Sequence, residues 1–386
     1  MNLIKIMSIN GLVKFLTLIF LNTFIIQVLK AQDGIKFRPF PKKLSDWNLL
    51  KREKDTMVLN EDTVPYYLVN SLFTDYAKKF RFIWLPKSKK ITYKKNEILD
   101  FPVGSVISKT FFYNRYNIIL LNEEKISASS HFEVTNDTLD FKDAYLIETR
   151  LLVKEERGWI GLPYLWNKEQ TDAVLKITGS TQKMKIKISD KREENFTYTT
   201  PNFNQCKGCH IKSDSNYKKT ITPIGTKAKN MNLDRKYNGQ WQNQLSYLEA
   251  KDFLSDLPTL ENVPKVTNWQ EITAPLKNRA RSYLDINCAH CHNPQGPAKT
   301  SGLFLQSEEN KPANYGVCKV PIAAGNASGG RKYDIHPGSP ERSILTYRMN
   351  STDPGKMMPE IGRSLVDQEG LELIHQWILD MSPGCK

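Results

Sequence analysis

Cysteine and histidine are scarce in this sequence, six of each in 386 residues, so its chemistry depends on where those few stand. Beyond the first 31 residues no apolar run is long enough to suggest a membrane-crossing segment. No glycine-rich phosphate loop, carboxylate pair or nucleophile–base triad is evident, which argues against a transferase or hydrolase, and no catalytic residue is assigned. No basic block or binding motif points to nucleic acid as a partner. The formal charge of +14 falls to about +11 once Lys5, Lys14 and Lys30 are set aside. That excess gives little reason to expect an acidic partner or a membrane surface. What remains is ordinary globular material: 40% hydrophobic residues, and a length that suits two domains.

The first residues read as an address. Lys5 and Lys14 give a positive start, and an apolar run over 15–29 leads to Ala31-Gln32. A bilayer span needs about 20 residues, so this shorter run reads as a signal peptide over 1–31 that is cleaved on export. Leu29 makes the small-x-small cleavage rule imperfect. The mature protein is then expected to be periplasmic or secreted, with no transmembrane segment.

Four of the six cysteines lie in two pentapeptides, Cys206-Lys207-Gly208-Cys209-His210 and Cys288-Ala289-His290-Cys291-His292. Each has the C-x-x-C-H spacing at which two thiols add across the vinyl groups of haem and the adjacent His reaches the iron. A structural zinc site is one rival, but the 78 residues between the pairs far exceed zinc-ribbon spacing. A thioredoxin-like redox pair is another, and neither flank shows the βαβ pattern it needs. Two covalently bound haem c groups are therefore expected. Cys206, Cys209, Cys288 and Cys291 would attach them, with His210 and His292 as proximal iron ligands. Cys318 and Cys385, the remaining thiols, are expected to pair as a disulfide in an oxidising compartment.

Residues 32–200 read as β-rich. Ile147, Thr149, Leu151 and Val153 alternate with Glu148, Arg150 and Lys154, although Leu152 falls on the polar side. Met184, Ile186 and Ile188 alternate cleanly with lysines. With turn signals between such runs, a β-sandwich or barrel-like domain is expected. Its aromatics (Trp84, Trp159, Tyr164, Trp166) suit a carbohydrate- or protein-docking surface, or core filling, which is their commoner use. His131, in a polar segment, is expected in a solvated loop. Helical spacing recurs over 240–254, over 274–286, and from Asp367 through Leu371, Ile374, Trp377 and Ile378. The expected architecture is multidomain α+β: a β-rich domain over 32–200, a first haem-binding segment over 201–265 and a class I cytochrome c-like domain over 266–386. The haem-bearing part would be mainly α-helical.

Several stretches together resemble an exported di-haem c-type cytochrome family, most of whose members are uncharacterised. They include NQCKGCH (204–210), PIGTKAKNMN (223–232), RARSYLDINCAHCHNPQGPA (279–298), SPERSILTYRM (339–349) and STDPGKMMPEIGRS (351–364). FPVGSVISKTFFY (101–113) and IETRLLVKEERGWIGLPYLWN (147–167) extend the resemblance into the β-rich half. Residues 270–384 separately resemble a class I cytochrome c domain. The resemblance implies haem binding, electron transfer to an unknown redox partner protein and an all-helical haem fold. Class I cytochromes carry a Met-Pro before their last helix, which makes Met358 the expected sixth ligand of the second haem, with Met357 its nearest rival. For the first haem, Met231, His131, Met184 and an open position stay as alternatives; Met231 stands where the family pattern has Leu. The leading expectation is an electron carrier. An open first haem would instead suit a di-haem peroxidase, and a ligand-docking β domain would suit a haem-carrying binding protein.

Overall fold

The computed structural model describes residues 39–385 apart from 54–55, 121–133, 136–137, 141–142, 215, 238 and 323. The expected signal peptide and His131 lie outside the described residues. Lys42–Lys386 form one compact unit.

A six-stranded antiparallel sheet organises that unit. Across it the strands run Ala173–Leu175, Gly158–Trp166, Ala144–Glu155, Val106–Asn114, Lys78–Trp84 and Thr63–Pro65. A three-stranded sheet of Arg192–Thr200, Ser180–Ser189 and Ile118–Leu120 packs on one face. Phe111, Tyr113 and Tyr145 of the larger sheet meet Met184, Ile186, Phe196 and Tyr198 of the smaller one. Farther along the same face, Ile83, Ile107 and Trp159 pack against Ala228, Met231, Leu245 and Leu248 from beyond residue 220. Between these two apolar patches the face lines a cavity.

The alternation expected along Ser180–Ser189 is present, with Met184 and Ile186 buried. Along Ala144–Glu155 it is interrupted. A register shift between Leu146 and Glu148 marks a bulge. The extra residue turns Glu148, Arg150 and Leu152 to the same face as Tyr145. Glu148 and Arg150, which simple alternation sends to solvent, therefore point inwards, and Glu148 is 0% exposed. Thr149, Leu151 and Val153 on the opposite face are buried as well. Trp159, Tyr164 and Trp166 are core, not a docking surface. Trp166 donates to Thr149 Oγ1 at 3.0 Å, and Trp47 donates to the Tyr164 hydroxyl at 2.7 Å.

Beyond residue 200 the expected mainly α-helical haem domains are not formed. Over the described residues as a whole strand makes up 31% and helix 20%, and the six α-helices, all beyond residue 200, are mostly short. These are α1 (Phe203–His210), α2 (Ala228–Met231), α3 (Gln244–Ala250), α4 (Leu276–Asn287), α5 (Ile344–Met349) and α6 (Gln368–Leu379). The reason is local. Helical spacing over 240–254 competes with strand pairing at both ends: Gln240–Asn243 pairs with Asp234–Tyr237, and Leu254–Ser255 pairs with Ile91–Thr92. Only α3 survives between them, started by Asn243, whose side chain accepts from Leu245 N. Between α4 and α5 the Gly- and Pro-rich chain forms turns and short 3-10 segments.

Helices α4 and α6 do appear where periodicity places them. Ala280, Tyr283 and Leu284 pack against Leu373, Ile374, Trp377 and Ile378. The helices approach so closely at Gly370 that a Cβ there would overlap the Tyr283 ring. Cys318 and Cys385 are disulfide-bonded, with Cα atoms 5.4 Å apart, and fasten the C-terminus to the chain before α5.

Candidate functional site

The first pentapeptide occupies the end of α1. Asn202 starts this helix with a capping box: its side chain accepts from Gln205 N, and the Gln205 side chain accepts from Asn202 N. The helix rests on the strand Gly158–Trp166. A Cβ at Gly161 would lie 3.4 Å from Cys206 Sγ. After His210 a hairpin of Ile211–Ser213 and Lys219–Ile221 returns the chain, so that Thr222 O lies 2.7 Å from His210 Nδ1. A proton held at Nδ1 by that carbonyl leaves Nε2 free to coordinate a metal.

The second pentapeptide follows α4 directly. Cys288 caps the helix, donating its N–H to Leu284 O at 2.9 Å, and His292 N donates to Cys288 O at 2.9 Å. His292 Nδ1 lies 3.4 Å from Ser301 Oγ. Burial pushes both His210 and His292 down to about 4, so each ring is neutral near neutral pH, the form that binds a metal.

The fold brings the two pentapeptides together. One ligand atom each from Cys209, His290 and Cys291 lies within 4.8 Å of the others. The close approach of the Cys209 and Cys291 sulfurs holds Cys209 below its ordinary range and pushes Cys291 above it. Burial pushes Cys288 up to about 12 and raises Cys206 as well. All four thiols are unpaired. The long sequence separation used above against a metal site therefore carries no weight, because distance along the chain is not distance in space.

A cavity of about 350 Å³ joins the two motifs, within the roughly 300–1,000 Å³ typical of ligand pockets. Cys206, Cys209, His210, Cys288, His290 and Met358 line it, while Cys291 and His292 are not among its lining residues. Met357 and Met349 line it too. Met231 and Met184 do not: each is buried in an apolar core. Arg363 fixes the Met358 loop. Its guanidinium donates to Met358 O at 2.9 Å, Met349 O at 3.1 Å and Ser351 O at 2.8 Å. Met358 N donates to Arg348 O at 3.0 Å.

The opposite wall comes from the sheet and is cationic. Arg81, Lys109 and Arg150 line the cavity, opposite one another on three neighbouring strands. Burial, with Arg150 and Arg81 beside it, pushes Lys109 down to about 7. Glu148 pairs with Arg150 at 2.5 Å and accepts from the Tyr198 hydroxyl at 2.6 Å. Sequence reading missed this wall and Arg363. The available signal was a charge inside an otherwise apolar strand, as at Arg81 between Phe80 and Phe82, or Lys109 before Phe111.

These residues fit haem c. Two thiol pairs sit on helical turns, each followed by a neutral, oriented imidazole, beside a mostly apolar cavity with a thioether-bearing loop across from them. Comparison with protein-family models, curated proteins and solved structures finds no match to this chain.

Proposed function

We propose that this chain is an exported di-haem c-type cytochrome that passes electrons to or from a redox partner protein. Two C-x-x-C-H pentapeptides carry the proposal, with support from their position at one cavity and from their four unpaired thiols. When bound, haem c supplies an iron that changes between ferric and ferrous states. The chain's residues do the rest. Cys206, Cys209, Cys288 and Cys291 tether, while His210 and His292 present a nitrogen. Thr222 orients the His210 ring, and Met358, on a loop pinned by Arg363, offers a thioether to the second iron. The buried Met231 and Met184 are not proposed as ligands.

Mass spectrometry of protein matured in an exporting host tests this. Two haem masses resistant to acid-acetone are expected. Cys206→Ala with Cys209→Ala should remove one, and Cys288→Ala with Cys291→Ala the other. Complete extraction by acid-acetone ends the proposal.

One observation favours a second reading. Cys209, Cys291 and His290 converge as three soft ligands, a set suited to zinc or copper. Such a site leaves Cys206, Cys288, His210 and His292 without roles, which is why haem is preferred. About one zinc per chain and no haem, measured on protein from the same exporting host, would favour the metal.

A further inference from the structure

Resting on the haem reading above, we propose that the row Arg81–Lys109–Arg150 is a carboxylate seat filled by a propionate of one bound haem. The row is set by strand register. Arg81 lies directly opposite Lys109, and Lys109 directly opposite Arg150, on the strands Lys78–Trp84, Val106–Asn114 and Ala144–Glu155. Cross-strand partners share a face, so all three side chains stand on the same side of the sheet, and all three line the cavity. The bulge at Leu146–Glu148 is what aligns Arg150 with the other two.

Like charges directly opposite in a sheet repel, and out of solvent that repulsion is screened little. Here two such pairs lie side by side, with Lys79 one row further along the same face. Among the described residues only Arg150 of the row is paired with one of the protein's own anions, Glu148. Glu148 is occupied by Arg150 and by the Tyr198 hydroxyl. Asp75, the next carboxylate along the cavity, accepts from the backbone N–H groups of Ser364 and Leu365 at 2.7 Å each.

The cations differ in what they already do. Arg81 donates to Ser71 Oγ at 3.0 Å, and Lys79 to Leu72 O at 2.9 Å. Among the described residues Lys109 makes no hydrogen bond or ion pair; its ammonium lies 4.9 Å from the centre of the Phe111 ring. It therefore presents its donors beside the Arg81 guanidinium, whose planar fork matches a carboxylate, and beside Arg150, whose Nε and Nη2 already donate to Glu148. The same cavity is lined by Cys206, Cys209 and His210 of the first pentapeptide and by Cys288 and His290 of the second, and each haem c brings two carboxylates that need cationic partners in a mostly apolar space. A propionate on Lys109 would turn a repulsive row into an attractive one.

The experiment is a redox titration of the holoprotein, after its haem content has been counted. A chain without two haems removes the haem reading and the seat together; two haems with the wrong potentials remove the seat alone. Lys109→Gln should lower one of the two midpoint potentials, because a nearby cation favours the ferrous state, and should make that potential more dependent on pH. Lys109→Arg should restore it, and Lys183→Gln, on an exposed strand position, should move neither. Wild-type potentials in Lys109→Gln would overturn the proposal. Infrared redox-difference spectra of the wild type with carbon-13 in the propionate carboxyls serve if Lys109→Gln does not mature. One labelled band should stay ionised to low pH, and bands that all titrate as free carboxyls would overturn the seat. A wild-type potential that moves on adding acetate, and no longer does so in Lys109→Gln, would show the row open to a free carboxylate and equally overturn it.

Discussion

At the scale of single residues, some of the site is written in local sequence and some is not. The four thiols and two histidines of the pentapeptides are legible because thioether attachment fixes their spacing within five residues. Arg81, Lys109 and Arg150 are far apart in the chain, and a bulge decides which face Arg150 takes. No window of sequence shows that row. Met358 lies between these cases: its position before Pro359 suggests a ligand, but Met357 beside it has the same chemistry. Both line the cavity, and Met357 is the more buried of the two. Met358 is pinned through its backbone at both its N–H and its carbonyl, which leaves the thioether as its mobile part. In the oxidised holoprotein a weak sulfur-to-iron charge-transfer band is expected at the red edge of the spectrum. Met358→Ala should abolish it and lower that haem's potential, since a replacement water or nitrogen ligand favours the ferric state more. Met357→Ala should leave the band largely in place. An unchanged spectrum in Met358→Ala would rule out that ligand.

At the scale of elements, period and length decided what could be read. Helices α4 and α6 each sustain an apolar stripe over twelve residues, and both form. The stretch 240–254 has helical spacing too, yet strand pairing at each end leaves a seven-residue α3. Neighbouring chain segments, absent from any local pattern, settled that competition. The close contact of α4 with α6 gives a sharper test. Gly370 lies in the first turn of α6, and its N–H donates to Asp367 Oδ1 at 3.0 Å. Tyr283 cannot swing away: its hydroxyl donates to Asp367 Oδ2 at 3.0 Å, and its ring packs edge-on against Trp269 at 5.3 Å. Gly370→Ala should gain up to about 1 kcal/mol of helix propensity and lose more than that to overpacking, on the order of 2–3 kcal/mol. Denaturant unfolding should therefore show a net loss. A stabilised variant would mean that the two helices separate more easily than their packing implies.

At the scale of the whole molecule, Lys42–Lys386 pack as one compact unit with the pentapeptides against the sheet. Two links hold distant parts together. The Cys318–Cys385 disulfide closes a sequence separation of 67, and replacing both residues by Ser should cost roughly 2–4 kcal/mol. Alkylation of the unfolded, unreduced wild type should find neither thiol; labelling at both would refute the bond. The second link is Asp75, 2% exposed, which accepts from Ser364 N and Leu365 N beyond the Met358 loop while its backbone carbonyl accepts from Tyr113. Burial raises its carboxyl to about 6, against the partial relief of those N–H groups, Arg363 and Lys79. The folded value thus stands above the unfolded one, near 4. Between these two values the folded protein binds the extra proton, so this residue's stabilising contribution is complete below about pH 4 and is lost as pH rises through about 6. The difference is on the order of 3 kcal/mol. Asp75→Asn keeps an oxygen for both N–H groups but does not ionise. Measured by denaturant unfolding from pH 4 to 7, the variant's stability relative to wild type should rise with pH by about that amount and level off above 6. Parallel curves for the two proteins would show that Asp75 ionises in the fold at no cost, and that the contact between the sheet and the Met358 loop is open to water.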